Sequence, residues 1–115
     1  MSKDYKEITS DISTYMAKMR NEMPEVMNGF YALSQAATKD GALDKKTKEL
    51  IALAVGIAAH CDGCIGFHTQ ALVKLGVTRQ ELVETLGMAV YMGGGPSLMY
   101  AAEALQAYEQ LSPSN

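Results

Sequence analysis

Residues 43–60 read LDKKTKELIALAVGIAAH, and they give the clearest indication of the fold class. Its first turns are charged and the remainder is apolar on nearly every side, which is typical of a helix at the centre of a protein core. Asp44 has the side chain expected of its N-cap. The apolar run 50–59 is ten residues long, about half of what crosses a bilayer. We therefore expect a buried core helix here and not a membrane span.

The composition of the whole chain favours helices as well. Ala, Leu and Met together number 34, whereas Val and Ile number 11, and the first group loses little side-chain freedom in a helix. A chain of 115 residues is long enough for one core and short for two. The sequence predicts an all-α fold and a single domain over residues 1–115.

Helices are predicted on both sides of the central one from apolar residues spaced three or four apart. Pro24 suits a first helical turn, Gly76 a helix end, and Thr78 with Glu81 forms a capping box. A glycine run at 93–95, followed by Pro96, separates the last two helices. The six predicted helices cover residues 4–20, 24–40, 44–60, 62–75, 78–92 and 96–111.

The segment LGMAVYM, residues 86–92, has no charged side chain. A domain of this length has little interior in which to bury a second such helix besides the central one. We therefore expect subunits to bury this segment between them in a homo-oligomer.

The charge distribution excludes several kinds of partner. The net charge is −3, and no Lys or Arg follows Arg79, so the clustered cations that bind nucleic acid or an anionic membrane are missing. The first ten residues, MSKDYKEITS, have no apolar signal core. We expect a cytoplasmic protein whose two cysteines are thiols at rest.

The segment HCDGCIGFH, residues 60–68, contains the candidate reactive residues. Two residues three apart on a helix have Cα atoms about 5 Å apart, so Cys61 and Cys64 can form a disulfide. A bridge over so short a loop stabilises a fold little. A pair that opens and closes during turnover is the better interpretation, because a thiolate is favoured at a helix N-terminus.

His68 and Glu49 are the candidate proton-transfer residues. His68 follows Cys64 by four residues and lies on the same helical face, so its imidazole can accept the thiol proton and stabilise the thiolate. Glu49 belongs to the preceding helix and reaches His68 only if the chain reverses direction near residues 60–62. The alternative for Glu49 is an acid at a solvated helix end.

Two other interpretations of the cysteine pair stay open on the residues alone. The pair can be inert core packing, since free cysteines are often buried. It can also bind zinc, which needs four ligands. The ligands would be Cys61, Cys64, His68 and one of His60, Asp62 or Glu49.

The spacing of Glu49, Cys61, Cys64 and His68, with eleven, two and three residues between them, resembles the alkyl hydroperoxidase D-like branch of the carboxymuconolactone decarboxylase superfamily. The surrounding sequence resembles that branch through most of residues 24–110. The resemblance implies an all-α fold, assembly into trimers or hexamers, and thiol-dependent reduction of peroxides. Gly63 departs from the pattern, because alkyl hydroperoxidase D itself has a histidine before the second cysteine.

The resemblance also implies a role for each site residue. Cys64 attacks the peroxide, Cys61 resolves the product as a disulfide, His68 activates Cys64, and Glu49 completes the proton relay. No bound cofactor is needed, and a dihydrolipoyl or thioredoxin-like protein would supply electrons to the peroxidase or disulfide reductase. The alternative functions are a lactone decarboxylase of the same superfamily and a non-catalytic, zinc-stabilised oligomeric adaptor.

Overall fold

The computed structural model describes residues 2–113 of the chain. Within that range all regular secondary structure is α-helical, which confirms the predicted all-α fold. The helices, in chain order, are α1 (Tyr5–Glu22), α2 (Pro24–Thr38), α3 (Lys45–Ala58), α4 (Asp62–Lys74), α5 (Arg79–Gly93) and α6 (Gly95–Leu111).

Local capping signals place the helix starts where the sequence predicts them. The Asp44 carboxylate accepts a hydrogen bond from the Thr47 backbone N–H at 2.8 Å and caps α3. At α5 the Thr78 hydroxyl accepts from the Glu81 N–H, and the Glu81 carboxylate accepts from the Thr78 N–H. Each cap satisfies an N–H group that has no partner inside the helix.

A single glycine, Gly94, separates α5 from α6. Gly94 has φ 73° and ψ −156°, a backbone conformation that is essentially restricted to glycine. Gly93 lies directly against Ser97, so that a Cβ at position 93 would collide with the Ser97 side chain. The predicted break between the last two helices at this glycine run is confirmed.

The core forms where α3 and α4 pack against α1, α5 and α6. Helix α3 contributes Leu53, Gly56 and Ile57 to this interior, but Ile51 and Val55 on its other side are exposed. The prediction of a helix at the centre of the core is therefore confirmed for one face of α3 and wrong for the other, because helices of the same chain cover only the first face. The buried apolar side chains are Tyr5, Leu53, Ile57, Ile65, Leu72, Val77, Leu82, Leu86, Ala89, Ala101, Ala104 and Ala107.

Helix α2 packs on the rest of the chain only weakly. All of its residues are described and none is buried, although Val26, Phe30 and Leu33 recur on one face and are each more than 60% exposed. In α5 Met88 and Met92 also point away from the core. These faces are apolar and are left uncovered by the chain itself.

No helix among the described residues is both long and apolar enough to cross a bilayer.

Candidate functional site

The turn between α3 and α4 places the cysteines. His60 has φ 57°, and its N–H donates to the carbonyl of Ile57, while the Cys61 N–H donates to the carbonyl of Gly56. Histidine adopts this left-handed conformation more readily than most residues. The chain reverses direction here, as the proposed contact between Glu49 and His68 requires.

Cys61 and Cys64 are joined by a disulfide, and their Cα atoms lie 5.2 Å apart. This confirms that the spacing allows the bond. Cys61 is the N-cap of α4, and its Sγ accepts the Cys64 backbone N–H at 3.1 Å. The sulfurs are thus at the positive end of the helix dipole, where a thiolate is stabilised.

Two glycines let neighbouring helices approach this pair. A Cβ on Gly56 of α3 would lie 2.9 Å from the Cβ of Cys64, which is shorter than any ordinary carbon contact. On the other side, a Cβ on Gly63 would lie 2.9 Å from Cδ1 of Ile12 in α1. Cδ1 is the far end of the Ile12 side chain and can shift to another rotamer, so this contact is less restrictive than the one at Gly56.

His68 and Glu49 are in direct contact. Nδ1 of His68 lies 2.6 Å from Oε2 of Glu49, and the carboxylate belongs to a residue that is only 5% exposed. The alternative of a solvated helix-end acid is therefore wrong for Glu49. A buried carboxylate is costly without a partner, and a proton on Nδ1 lets the imidazole donate to it. Nε2 is then free to accept a proton, and the imidazole is fixed in one orientation.

A second polar cluster beside the cysteines was not predicted. Nζ of Lys3 lies 2.9 Å from Oδ1 of Asp62 and 2.7 Å from Oε2 of Glu103. The Tyr5 hydroxyl donates to Asp62 at 3.2 Å. Burial is the largest cause that raises the pKa of Tyr5 far above its usual range, so the phenol stays a neutral donor. No sequence signal links these residues, because the pairs are 59 and 100 positions apart.

His60 also has a partner that the sequence did not indicate. Its ring stacks on Tyr100 of α6 with centroids 4.7 Å apart and an interplanar angle of 6°. His60 lies in the turn that follows the end of α3 at Ala58. Among residues 2–113, no three His, Cys, Asp or Glu side chains are placed to hold a metal ion.

Comparison with known proteins identifies the family of this chain. Residues 24–107, most of the chain, match the Carboxymuconolactone decarboxylase family. The chain belongs to this family. Among its family relatives of known structure is a carboxymuconolactone decarboxylase family protein from Legionella pneumophila, solved in its apo form, which is 70% identical with a TM-score of 0.94. That match covers 97% of this chain and 100% of the other.

Two further relatives match this chain at lower sequence identity. A carboxymuconolactone decarboxylase family protein from Thermotoga maritima, a candidate for a role in antioxidative response, is 30% identical with a TM-score of 0.70, covering 83% of this chain and 87% of that one. An uncharacterized protein of Cupriavidus necator is 37% identical over 97% of this chain and 99% of its own length. These relatives confirm the resemblance that the sequence showed, and they are consistent with the alkyl hydroperoxidase D-like branch.

Proposed function

We propose that this protein is a thiol-dependent peroxidase that works through Cys61 and Cys64. The observation that carries the proposal is the bonded cysteine pair at the start of α4, followed one turn later by a histidine that a buried carboxylate orients. Such an arrangement has the parts that an activated cysteine nucleophile requires. The antioxidative role suggested for the Thermotoga maritima relative supports the same chemistry.

The oxidative half of the reaction begins with the reduced pair. His68 accepts the proton of the Cys64 thiol, and the thiolate attacks the terminal oxygen of a hydroperoxide, ROOH. The O–O bond breaks, Cys64 becomes a sulfenic acid, and the alkoxide takes the proton from His68 and leaves as ROH. The Cys61 thiol then attacks the Cys64 sulfur, which releases water and forms the disulfide. Glu49 acts through His68 and is a positioning residue.

The reductive half needs an external dithiol. Its thiolate attacks the Cys64 sulfur, and Cys61 leaves as a thiolate that the Cys64 N–H and the N-terminus of α4 stabilise. The second thiol of the donor then releases Cys64 and becomes part of the donor's own disulfide. The proposed donor is a dihydrolipoyl or thioredoxin-like protein in a reducing cytoplasm, and no bound cofactor takes part.

Peroxide turnover tests this proposal directly. With dihydrolipoamide as electron donor, the protein is expected to consume cumene hydroperoxide at least about 100-fold faster than the donor alone, as is usual for an activated nucleophile with a positioned acid–base group. Loss of peroxide is measured by a ferrous-oxidation assay. A rate equal to that of the free donor, with hydrogen peroxide and alkyl hydroperoxides alike, would contradict the proposal. Turnover of a disulfide substrate in the same protein would then identify a disulfide reductase.

We also propose that the chain works as a homo-oligomer, a trimer or a hexamer. The apolar faces of α2 and α5 are exposed in the single chain, and apolar patches of this kind usually mark subunit contacts. Val26, Phe30 and Leu33 lie within about one third of the circumference of α2, which is a suitable stripe for helix packing.

Replacing Phe30 by Glu is expected to reduce the assembly to smaller species, because a carboxylate would have to be buried without a partner. Size-exclusion chromatography with light scattering gives the mass. Gln35→Glu is the matched control, since it adds the same charge to the opposite, exposed face of α2 and is expected to leave the mass unchanged. A wild-type monomer at micromolar concentration would refute the assembly.

A further inference from the structure

Four polar side chains from three parts of the chain meet beside the dithiol and have no role in the mechanism above. Lys3 and Tyr5 come from the amino-terminal segment, Asp62 is the first residue of α4, and Glu103 lies on α6. The Lys3 ammonium bridges the two carboxylates at 2.9 and 2.7 Å. Because Asp62 directly follows Cys61, their Cα atoms are about 3.8 Å apart. The Asp62 carboxylate, which belongs to the residue after Cys61, is therefore paired with Lys3 of the amino-terminal segment.

The amino-terminal segment is fixed in place by backbone contacts of its own. The Tyr5 N–H donates to the side-chain oxygen of Gln110 at 2.8 Å, and the Gln110 amide donates to the carbonyl of Lys3 at 2.9 Å. The Tyr5 ring is completely buried. These contacts hold Lys3 close to Asp62, so that the position of Lys3 does not depend on the ion pairs alone.

The charges of this cluster do not cancel. Asp62 and Glu103 are two carboxylates, Lys3 is one cation, and Tyr5 is a neutral phenol. The hydrogen bond to Glu103 is the largest cause that raises the pKa of Lys3, so the ammonium keeps its proton. The cluster has one negative charge with Lys3 present and would have two without it.

We propose that Lys3 is a positioning residue that sets the acidity of the dithiol by neutralising Asp62. An uncompensated carboxylate next to Cys61 disfavours a thiolate on either sulfur through Coulomb repulsion, and the ammonium offsets that repulsion. The inference rests on the dithiol chemistry proposed above and involves neither His68 nor Glu49. By this proposal the amino-terminal segment affects the acidity of cysteines that are about sixty positions away in the sequence.

The size of the effect follows from solvent exposure. The side chains of Lys3 and Asp62 are 30% and 37% exposed, so water screens the field strongly. Adding or removing one charge at Asp62 or at Lys3 is expected to alter a thiol pKa by about half a unit. At a pH below that pKa, this is a roughly threefold change in the fraction of thiolate. Nζ of Lys3 also lies 5.1 Å from the centroid of the Tyr100 ring on which His60 stacks, a contact that Lys3→Arg is expected to keep.

Two single variants with opposite expected signs test the proposal. In the reduced protein, thiolate absorbance at 240 nm is followed against pH, and timed alkylation with mass spectrometry assigns each thiol. Lys3→Met is expected to raise the lower thiol pKa by about half a unit, and Asp62→Asn is expected to lower it by a similar amount. Lys3→Arg is expected to behave like the wild type. The double variant Lys3→Met with Asp62→Asn is expected to return close to the wild-type value.

The opposite signs of the two expected pKa changes distinguish an electrostatic role of Lys3 from a structural one. If the cluster only anchors the amino terminus, both single variants loosen it and change the thiol pKa in the same direction, or do not change it. Either result would overturn the proposal. The titration uses no peroxide, so that a protein without peroxidase activity still answers the question, whereas peroxide turnover with unchanged thiol pKa values would contradict only the role of Lys3.

Discussion

Cys64→Ser is expected to abolish peroxide turnover, lowering the rate by about 100-fold or more to that of the free donor. A serine hydroxyl stays protonated at neutral pH and cannot accept an oxygen atom as a sulfur does. The substitution removes one sulfur next to Gly56 and is nearly isosteric, so the packing of α3 on α4 is kept. The measurement is hydroperoxide loss with dihydrolipoamide, and circular dichroism checks the helix content.

Cys61→Ser is the matched control, and it tests the order of the two cysteines. If Cys64 attacks and Cys61 resolves, this variant, reduced and then freed of any thiol donor, consumes one equivalent of peroxide and stops at a Cys64 sulfenic acid. Dimedone labelling and mass spectrometry identify the modified residue. A single turnover in Cys64→Ser, with none in Cys61→Ser, would reverse the assignment, since Cys61 also accepts an amide hydrogen bond at the start of α4.

The features that the sequence predicted depend on residues close together in the chain. The capping box at Thr78, the cap at Asp44 and the break at Gly94 each follow from the conformational preferences of a few neighbouring residues. The disulfide likewise follows from a spacing of three positions along one helix. Contact between Glu49 and His68 could be predicted only on the condition that the chain reverses, and the left-handed backbone of His60 supplies that reversal.

The features that the sequence did not predict depend on how distant segments pack. Lys3 reaches Glu103 across 100 positions, and no periodicity encodes that pairing. The exposed face of α3 was missed for a related reason. Hydrophobicity shows that Ile51 and Val55 avoid water, but it does not show whether the same chain or another subunit covers them.

Glu49→Gln is expected to slow peroxide reduction by about 10- to 100-fold, and His68→Ala by about 100- to 1000-fold, within the range of general acid–base groups. Glutamine has the shape of glutamate but no charge, so it loses the charge-assisted bond that orients the imidazole and stabilises it while it carries the thiol proton. The measurement is the second-order rate constant with cumene hydroperoxide, taken across a range of pH by stopped flow.

The double variant decides whether Glu49 works through His68. Because the carboxylate contacts Nδ1 at 2.6 Å, its part in orienting the base is lost once the imidazole is gone. The double variant is therefore expected to be as slow as His68→Ala alone, whereas independent contributions would multiply. Multiplying losses, together with a lowered unfolding temperature in Glu49→Gln, would show that Glu49 supports the packing of α3 on α4. An intact unfolding temperature with non-additive rates would show that it holds the base in place.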